Sequence, residues 1–193
     1  MAPAVAGLRF RPATVADGPA VADIYSPYVL GPGVSFELEP PDSATMARRV
    51  ADTLHTHPWL IAERHGRPVA YAYAGVYGGR PAYRWTTEAT IYVGESGRGQ
   101  GVGRSLYAVL LAVLRAQGFR SALARIALPN PGSTRLHQQC GFKQIGTHPD
   151  AGYKHGIWYP IDYWSCTFNV ADPPAEPIPF SALPDLAGLL TTA

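Results

Sequence analysis

The sequence predicts an α/β fold in which helices sandwich a mixed β-sheet. Three observations predict it. Segments with strand-like and helix-like apolar periodicity intermix in the order β-α-α-β-β-β-α-β-α-β-β. Hydrophobic residues make up 47% and charged residues 16% of the 193 residues, enough for a sizeable core in one domain. Glycines at 94, 97, 99, 101 and 103 separate an alternating strand from a long amphipathic helix, a junction typical of α/β units.

"LRFRPAT" (8–14) reads as the first strand, and Thr14 with Asp17 forms a capping-box pattern. Ala20, Val21, Ile24, Tyr25 and Tyr28 follow at helical spacing until "GPG" (31–33) breaks the helix. Asp42 or Ser43 can cap a second helix running to about Leu54, before Pro58. "WLIAERHGRPVAYAYAGVY" (59–77) reads as two strands joined at His65-Gly66. In "WTTEATIYV" (85–93), Trp85, Thr87, Ala89, Ile91 and Val93 share one face; Thr86, Glu88, Thr90 and Tyr92 share the other. The next helix spans about Gly103 to Gln117, with Leu106, Leu110, Val113 and Leu114 inward and Gly118 as its stop. A strand at 121–128, a loop at 129–132, a short helix at 133–140 closed by Gly141, and strands near 143–149 and 157–169 complete the domain, 1–170. From Val170 the chain becomes Pro-rich, so 171–193 reads as a tail, with "LPDLAGLL" (183–190) able to form a short docking helix.

Net charge is +2 with scattered basic residues, which argues against a nucleic-acid partner. No run approaches the ~20 apolar residues of a membrane span, and "MAPAVAGLRF" lacks a leader pattern, so a cytoplasmic setting is expected. Cys140 and Cys166 form no CxxC pair and no ligand spacing with histidine, so buried free thiols and no metal are expected.

The glycine segment carries the functional reading. A helix N-terminus presents unpaired N–H groups at its positive end, and glycines let a phosphate approach them. A plain glycine-rich turn is the competing reading. GxxxxGK[ST] is absent, and GxGxxG fails because position 104 is Arg104. R-x-x-G-x-G fits, as Arg98, Gly101 and Gly103.

That motif after a strand resembles the acyl-CoA signature of the GCN5-related N-acetyltransferase superfamily. "LPNPGSTRLHQQCGF" (128–142) resembles its second hallmark. "VSFELEP" (34–40), "YAYAG" (71–75), "AYRWTTEATIYV" (82–93), "AQGFRSALARIALPN" (116–130) and "AGYKHGIWYPIDYW" (151–164) are similar to the phosphinothricin and methionine sulfoximine/sulfone N-acetyltransferases. The resemblance covers about 8–170 and implies a mixed, mostly antiparallel sheet flanked by helices. It implies acetyl-CoA as donor, its diphosphate on Arg98, Gly99, Gln100, Gly101, Val102, Gly103 and Arg104. It places the pantetheine along Ile91, Tyr92 and Val93, with Asn130 and Ser133 holding the coenzyme arm. Glu88 is implied as general base and His137 as a proton-handling partner, roles suited to amine acetylation. By position alone, Glu88 reads as an exposed strand carboxylate and His137 as a structural helical histidine. Tyr107 and Tyr92 read as packing or lining residues.

Phe36, Arg80, Tyr83 and Lys154 match positions that the family uses at the substrate, an amino-acid-like amine bearing an oxygen-rich tetrahedral group. Relatives tend to carry "WKAR" where this chain has "YGGR", so Tyr77 and Gly78 replace an indole and a lysine. Losing that cation weakens an anionic phosphinate more than a neutral sulfone. "GESG" (94–97) is also more acidic than the family's loop. The resemblance further implies a homodimer, with "IWYPIDYWSCTF" (157–168) able to supply apolar interface. Rival readings are an acetyltransferase for another amine, a non-catalytic acetyl-CoA-binding module and, weakest, a nucleotide-binding oxidoreductase.

Overall fold

The structure is a computed structural model that describes residues 7–169 and 171–191. Val170, where the sequence places the start of the tail, lies outside them, as does most of the N-terminal stretch read as lacking a leader. Seven strands form one sheet: β1 (Leu8–Pro12), β2 (Trp59–Arg64), β3 (Arg67–Val76), β4 (Thr86–Val93), β5 (Ser121–Ala127), β6 (Lys143–Lys154) and β7 (Ile157–Thr167). Their order across the sheet is β1-β2-β3-β4-β5-β7-β6. Every neighbouring pair is antiparallel except β4 and β5, which run parallel. The longer helices are α1 (Gly18–Leu30), α2 (Ser43–Leu54), α3 (Val102–Gln117) and α4 (Pro131–Gln139).

Local chemistry explains most boundaries. The Thr14 N–H donates to the Asp17 carboxylate (2.7 Å), half of the capping box, and Arg11 clamps the same carboxylate. That hydrogen-bonded ion pair holds the Asp17 pKa below its usual value. Asp42 caps α2 by accepting from the Thr45 N–H at 2.7 Å. His65 and Gly66, both at positive φ, make the two-residue turn that joins β2 to β3. His155 and Gly156 repeat the device between β6 and β7, so β6 runs on to Lys154 rather than ending near 149. The fourth helix begins earlier than its sequence spacing suggests, because Asn130 caps it and Pro131 occupies its first position.

Alternation puts the two faces of the sheet in different cores. Val21, Tyr25, Met46 and Val50 of the first two helices cover Trp59, Ile61 and Tyr71 on one face. The third helix covers the other, where Leu106, Leu110, Val113 and Leu114 are fully buried against Leu60, Ala72, Ala89 and Ala124. Cys166 is buried and Cys140 half-buried; both are free, and burial pushes the Cys140 thiol up to about 11.

The C-terminal segment is docked on this second core. The Ile178 N–H donates to the Gln117 carbonyl (2.7 Å), and Gln117 Nε2 returns a bond to the Ile178 carbonyl (2.7 Å). Phe180 is buried in this core, its N–H donating to the Thr56 carbonyl, and Leu186 and Leu190 of α5 (Leu186–Thr191) pack against the same core. Phe180→Leu is expected to cost about 1 kcal/mol, a volume-conserving core change. In a domain of this size, that lowers Tm by about 2–4 °C. A melt identical to wild type would mean that the segment is not part of the cooperative unit.

Candidate active site

β4 and β5 part company at Glu88. Their parallel register covers Thr86↔Ser121, Thr87↔Ala122 and Glu88↔Leu123, and among the described residues it goes no further. Beyond it, Ala89–Val93 pairs with β3 alone and Ala124–Ala127 with β7 alone. The two strands therefore open a fork at their carboxyl ends, the place where open α/β sheets receive ligands. α3 and α4 each follow one arm of that fork, so both helix N-termini, with their positive dipole ends, stand at its mouth.

The glycine segment builds one side of the mouth. Gly99 and Gly101 both adopt left-handed φ (71° and 77°), which favours glycine there. No side chain caps the helix at Gly101. The first amide seen to bond back belongs to Ser105, so among the described residues those of Val102, Gly103 and Arg104 have no protein partner. Gly103 fits closely: a Cβ there would lie 3.3 Å from the Val93 side chain, which would have to give slightly, and 3.4 Å from Leu136. This is a backbone cradle suited to an anionic diphosphate. Arg98 reaches back to the Val93 carbonyl (3.3 Å) and lies over the Tyr28 ring. The Tyr28 hydroxyl donates to that same carbonyl (2.6 Å), so Val93 offers less free main chain than expected, whereas no such side-chain contact engages the carbonyls of Ile91 and Tyr92. The side chain of Gln100 is tied to the Ser96 carbonyl and to Arg64.

On the other face of the sheet, a cleft of about 360 Å3 runs from the crotch of the fork toward the loop after α1. Glu88, Thr90 and Tyr92 of β4, Arg125 of β5, and Phe36 and Glu37 of the loop are among its walls. Glu88 Oε2 accepts from Arg125 Nη2 at 2.6 Å. Glu37 accepts two bonds from Arg49 (2.7 and 3.0 Å) and one from the Tyr25 hydroxyl (3.0 Å). Arg49 keeps the Glu37 pKa below its usual value, while burial pushes Tyr25 up to about 12. Glu88 and Phe36, expected near the substrate, thus share one cleft. Tyr92 also lines it, packed edge-on against Tyr25 and Tyr28.

Three expectations meet a different geometry. Lys154 is 1% exposed and does not reach the cleft. Its ammonium donates to the carbonyls of Val29 and Ser35, fastening the loop that carries Phe36 and Glu37. Burial pulls the Lys154 pKa down, partly offset by Glu37. Arg80 and Tyr83 line a separate cavity of about 380 Å3 with Glu176 and Pro177, and none of its walls is shared with the Glu88 cleft. His137 is 4% exposed. Its Nδ1 lies 2.8 Å from the Ser133 carbonyl, which can only accept, so Nδ1 carries the proton. Nε2 then accepts from the Tyr107 hydroxyl at 3.1 Å. With both nitrogens bonded inside the protein and burial lowering its pKa, the neutral ring braces α4 against α3 instead of facing the cleft. Asn130 Oδ1 accepts from the Ser133 N–H (3.1 Å), which leaves its NH2 group for other partners.

Sequence reasoning missed Arg125, Glu37 and Tyr25. Period-2 alternation places Arg125 on a face but does not say that the face looks across a fork at Glu88. Among the described residues, no cluster of His, Cys, Asp and Glu could hold a metal ion, and no helix is long and apolar enough to cross a membrane.

Comparison with known proteins agrees with this architecture. Residues 20–142 match the family model described as the acetyltransferase (GNAT) family. The chain is 40% identical over 174 residues to a phosphinothricin N-acetyltransferase of Streptomyces viridochromogenes, covering 90% of this chain and 95% of that one. It is 30% identical over 157 residues to the L-methionine sulfoximine/L-methionine sulfone acetyltransferase of Salmonella typhimurium, covering 81% and 92%. The crystal structure of a phosphinothricin acetyltransferase from Sinorhizobium meliloti in complex with AcCoA superposes with a TM-score of 0.82 at 31% identity, over 93% of this chain and 97% of that one. The forked sheet, the uncapped glycine cradle and these likenesses place the chain in the acetyltransferase (GNAT) family, as an N-acetyltransferase that uses acetyl-CoA.

Proposed function

We propose that the chain acetylates the α-amino group of a small amino-acid-like substrate of the phosphinothricin, methionine sulfoximine or methionine sulfone type. The observation that carries this reading is Glu88 at the crotch of the fork, on the wall of a cleft that also holds Phe36. The named activities of the relatives supply the substrate class.

When bound, acetyl-CoA supplies an activated acetyl thioester. The main chain of Arg98–Arg104 would hold its diphosphate, with Ile91, Tyr92, Asn130 and Ser133 along its arm. Glu88 takes the proton that the substrate ammonium must lose before its lone pair can attack. Phe36 lies over Gly152 and near Tyr159, which makes it a fixed apolar wall for the substrate's methyl end. Lys154 and His137 position this machinery: one fastens the loop, the other braces the helix that follows Asn130.

Within the substrate class, neutral sulfone and sulfoximine groups suit the cleft better than a phosphinate. Glu37 and Glu88 are both on its walls, its one cation among the described lining residues, Arg125, is already paired with Glu88, and Arg80 stands in the other cavity. Coenzyme A thiol release should therefore show a higher kcat/KM with methionine sulfone than with phosphinothricin. The reverse order would overturn this ranking, and no turnover with any amino acid of the class would overturn the function. We also read the protein as a homodimer. Ile145, Tyr153, Ile157 and Trp158 form exposed apolar surface on the β6–β7 hairpin. Sedimentation at twice the chain mass is the expected result; a monomer would exclude it.

A further inference from the structure

We propose that Arg125 is the subsite for the substrate's carboxylate, and that the Glu88–Arg125 pair recognises the zwitterion of an α-amino acid. The inference rests on the reading of the substrate as an amino-acid-like amine and adds which residue selects it.

Arg125 lies two residues beyond Leu123, the last β5 residue in register with β4, so its side chain shares the cleft face with Glu88 across the opening fork. A single 2.6 Å bond joins the two, from Nη2 to Oε2. A guanidinium has five N–H donors in a planar fork that matches a carboxylate in two-pronged fashion. One is used here, and the Arg125 side chain is 54% exposed against 27% for Glu88.

The other charges near the cleft are committed elsewhere. Glu37 is held by Arg49 and Tyr25. Lys154 is buried on two carbonyls, and Arg80 and Arg84 line the other cavity. Among the described residues that line the cleft, Arg125 is therefore the one cation. An α-amino acid presents an ammonium and a carboxylate on the same carbon. Glu88 and Arg125 present the complementary charges side by side. Entry of the substrate exchanges one solvent-exposed ion pair, which contributes little, for two charge-assisted contacts. The exchange also frees Glu88 from Arg125 and turns it to the ammonium whose proton it takes. A substrate without the carboxylate leaves the guanidinium competing for Glu88.

The test compares methionine sulfone with its carboxamide, in wild type, Arg125→Gln and Arg125→Lys, by initial rates of thiol release. Wild type is expected to favour the acid. Arg125→Gln should raise KM for the acid about 10-fold or more with kcat changed less, while KM for the carboxamide moves less than about twofold. Arg125→Lys, which keeps the charge but loses the fork, should fall between. Equal losses on acid and carboxamide would overturn the proposal and leave Arg125 as a mere holder of Glu88. A raised KM for acetyl-CoA with the amine KM unchanged would assign it to the donor site instead. If Arg125→Gln does not fold, the wild-type comparison still decides: a wild type indifferent to the carboxylate overturns the subsite alone. A wild type that acetylates neither form overturns the broader substrate reading with it.

Discussion

Glu88→Gln is expected to lower kcat by about 10²–10³-fold, within the range for loss of a positioned general base. Affinity for acetyl-CoA by calorimetry should stay within about twofold, because the glycine cradle and the carboxylate occupy different faces of β4. The substitution keeps the shape of the side chain and removes only its ability to take a proton. It also dissolves the 2.6 Å pair with Arg125, so that variant is a necessary control. Arg125→Gln breaks the same pair but keeps the carboxylate. A large kcat loss in Glu88→Gln with a smaller one in Arg125→Gln would locate the effect in the base. Near-normal turnover by Glu88→Gln would remove Glu88 from the proton path and leave it as one half of an ion pair.

Lys154→Ala is expected to act chiefly through the fold. The ammonium bonds the Val29 carbonyl at the end of α1 and the Ser35 carbonyl (2.7 Å for the latter), inside the protein. Removing it strands two buried acceptors and empties the volume of the stem, at a cost of about 4 kcal/mol. Tm should fall by on the order of 10 °C. The same loop carries Phe36 and Glu37 into the cleft, so KM for the amine should rise as well. Lys154→Met keeps most of the stem and strands the same carbonyls; its melting temperature should lie between those of wild type and Lys154→Ala. An unchanged melt with a raised KM would instead return Lys154 to direct contact with substrate.

What could be read from sequence had a short physical range. The Thr14–Asp17 box, the Asp42 cap, the His65–Gly66 turn and the stop at Gly118 each depend on backbone needs met within a few residues. The glycine cradle is of the same kind, since left-handed φ at Gly99 and Gly101 and an uncapped first helical turn are local facts. The alternation in 85–93 likewise separated the core-facing Thr87 and Ala89 from the cleft-facing Glu88. Periodicity names the face a residue points to; it does not name the residue opposite.

The rest was decided by long-range pairing. β5 lies between β4 and β7, so residue 125 meets residue 88 only because the two strands run parallel for three pairs and then part. Lys154 is drawn inside because the β6–β7 hairpin folds over the loop after α1, where two carbonyls need a donor. His137 turns inward because a buried tyrosine hydroxyl on α3 needs an acceptor. Arg80 and the C-terminal segment meet around a cavity of their own, away from Glu88. By itself the sequence determined the order and kind of the main strands and helices and the glycine segment that leaves the first amides of α3 open. Only the tertiary structure decided which charged groups confront one another, because burial and register across the sheet, not neighbours along the chain, set those partners.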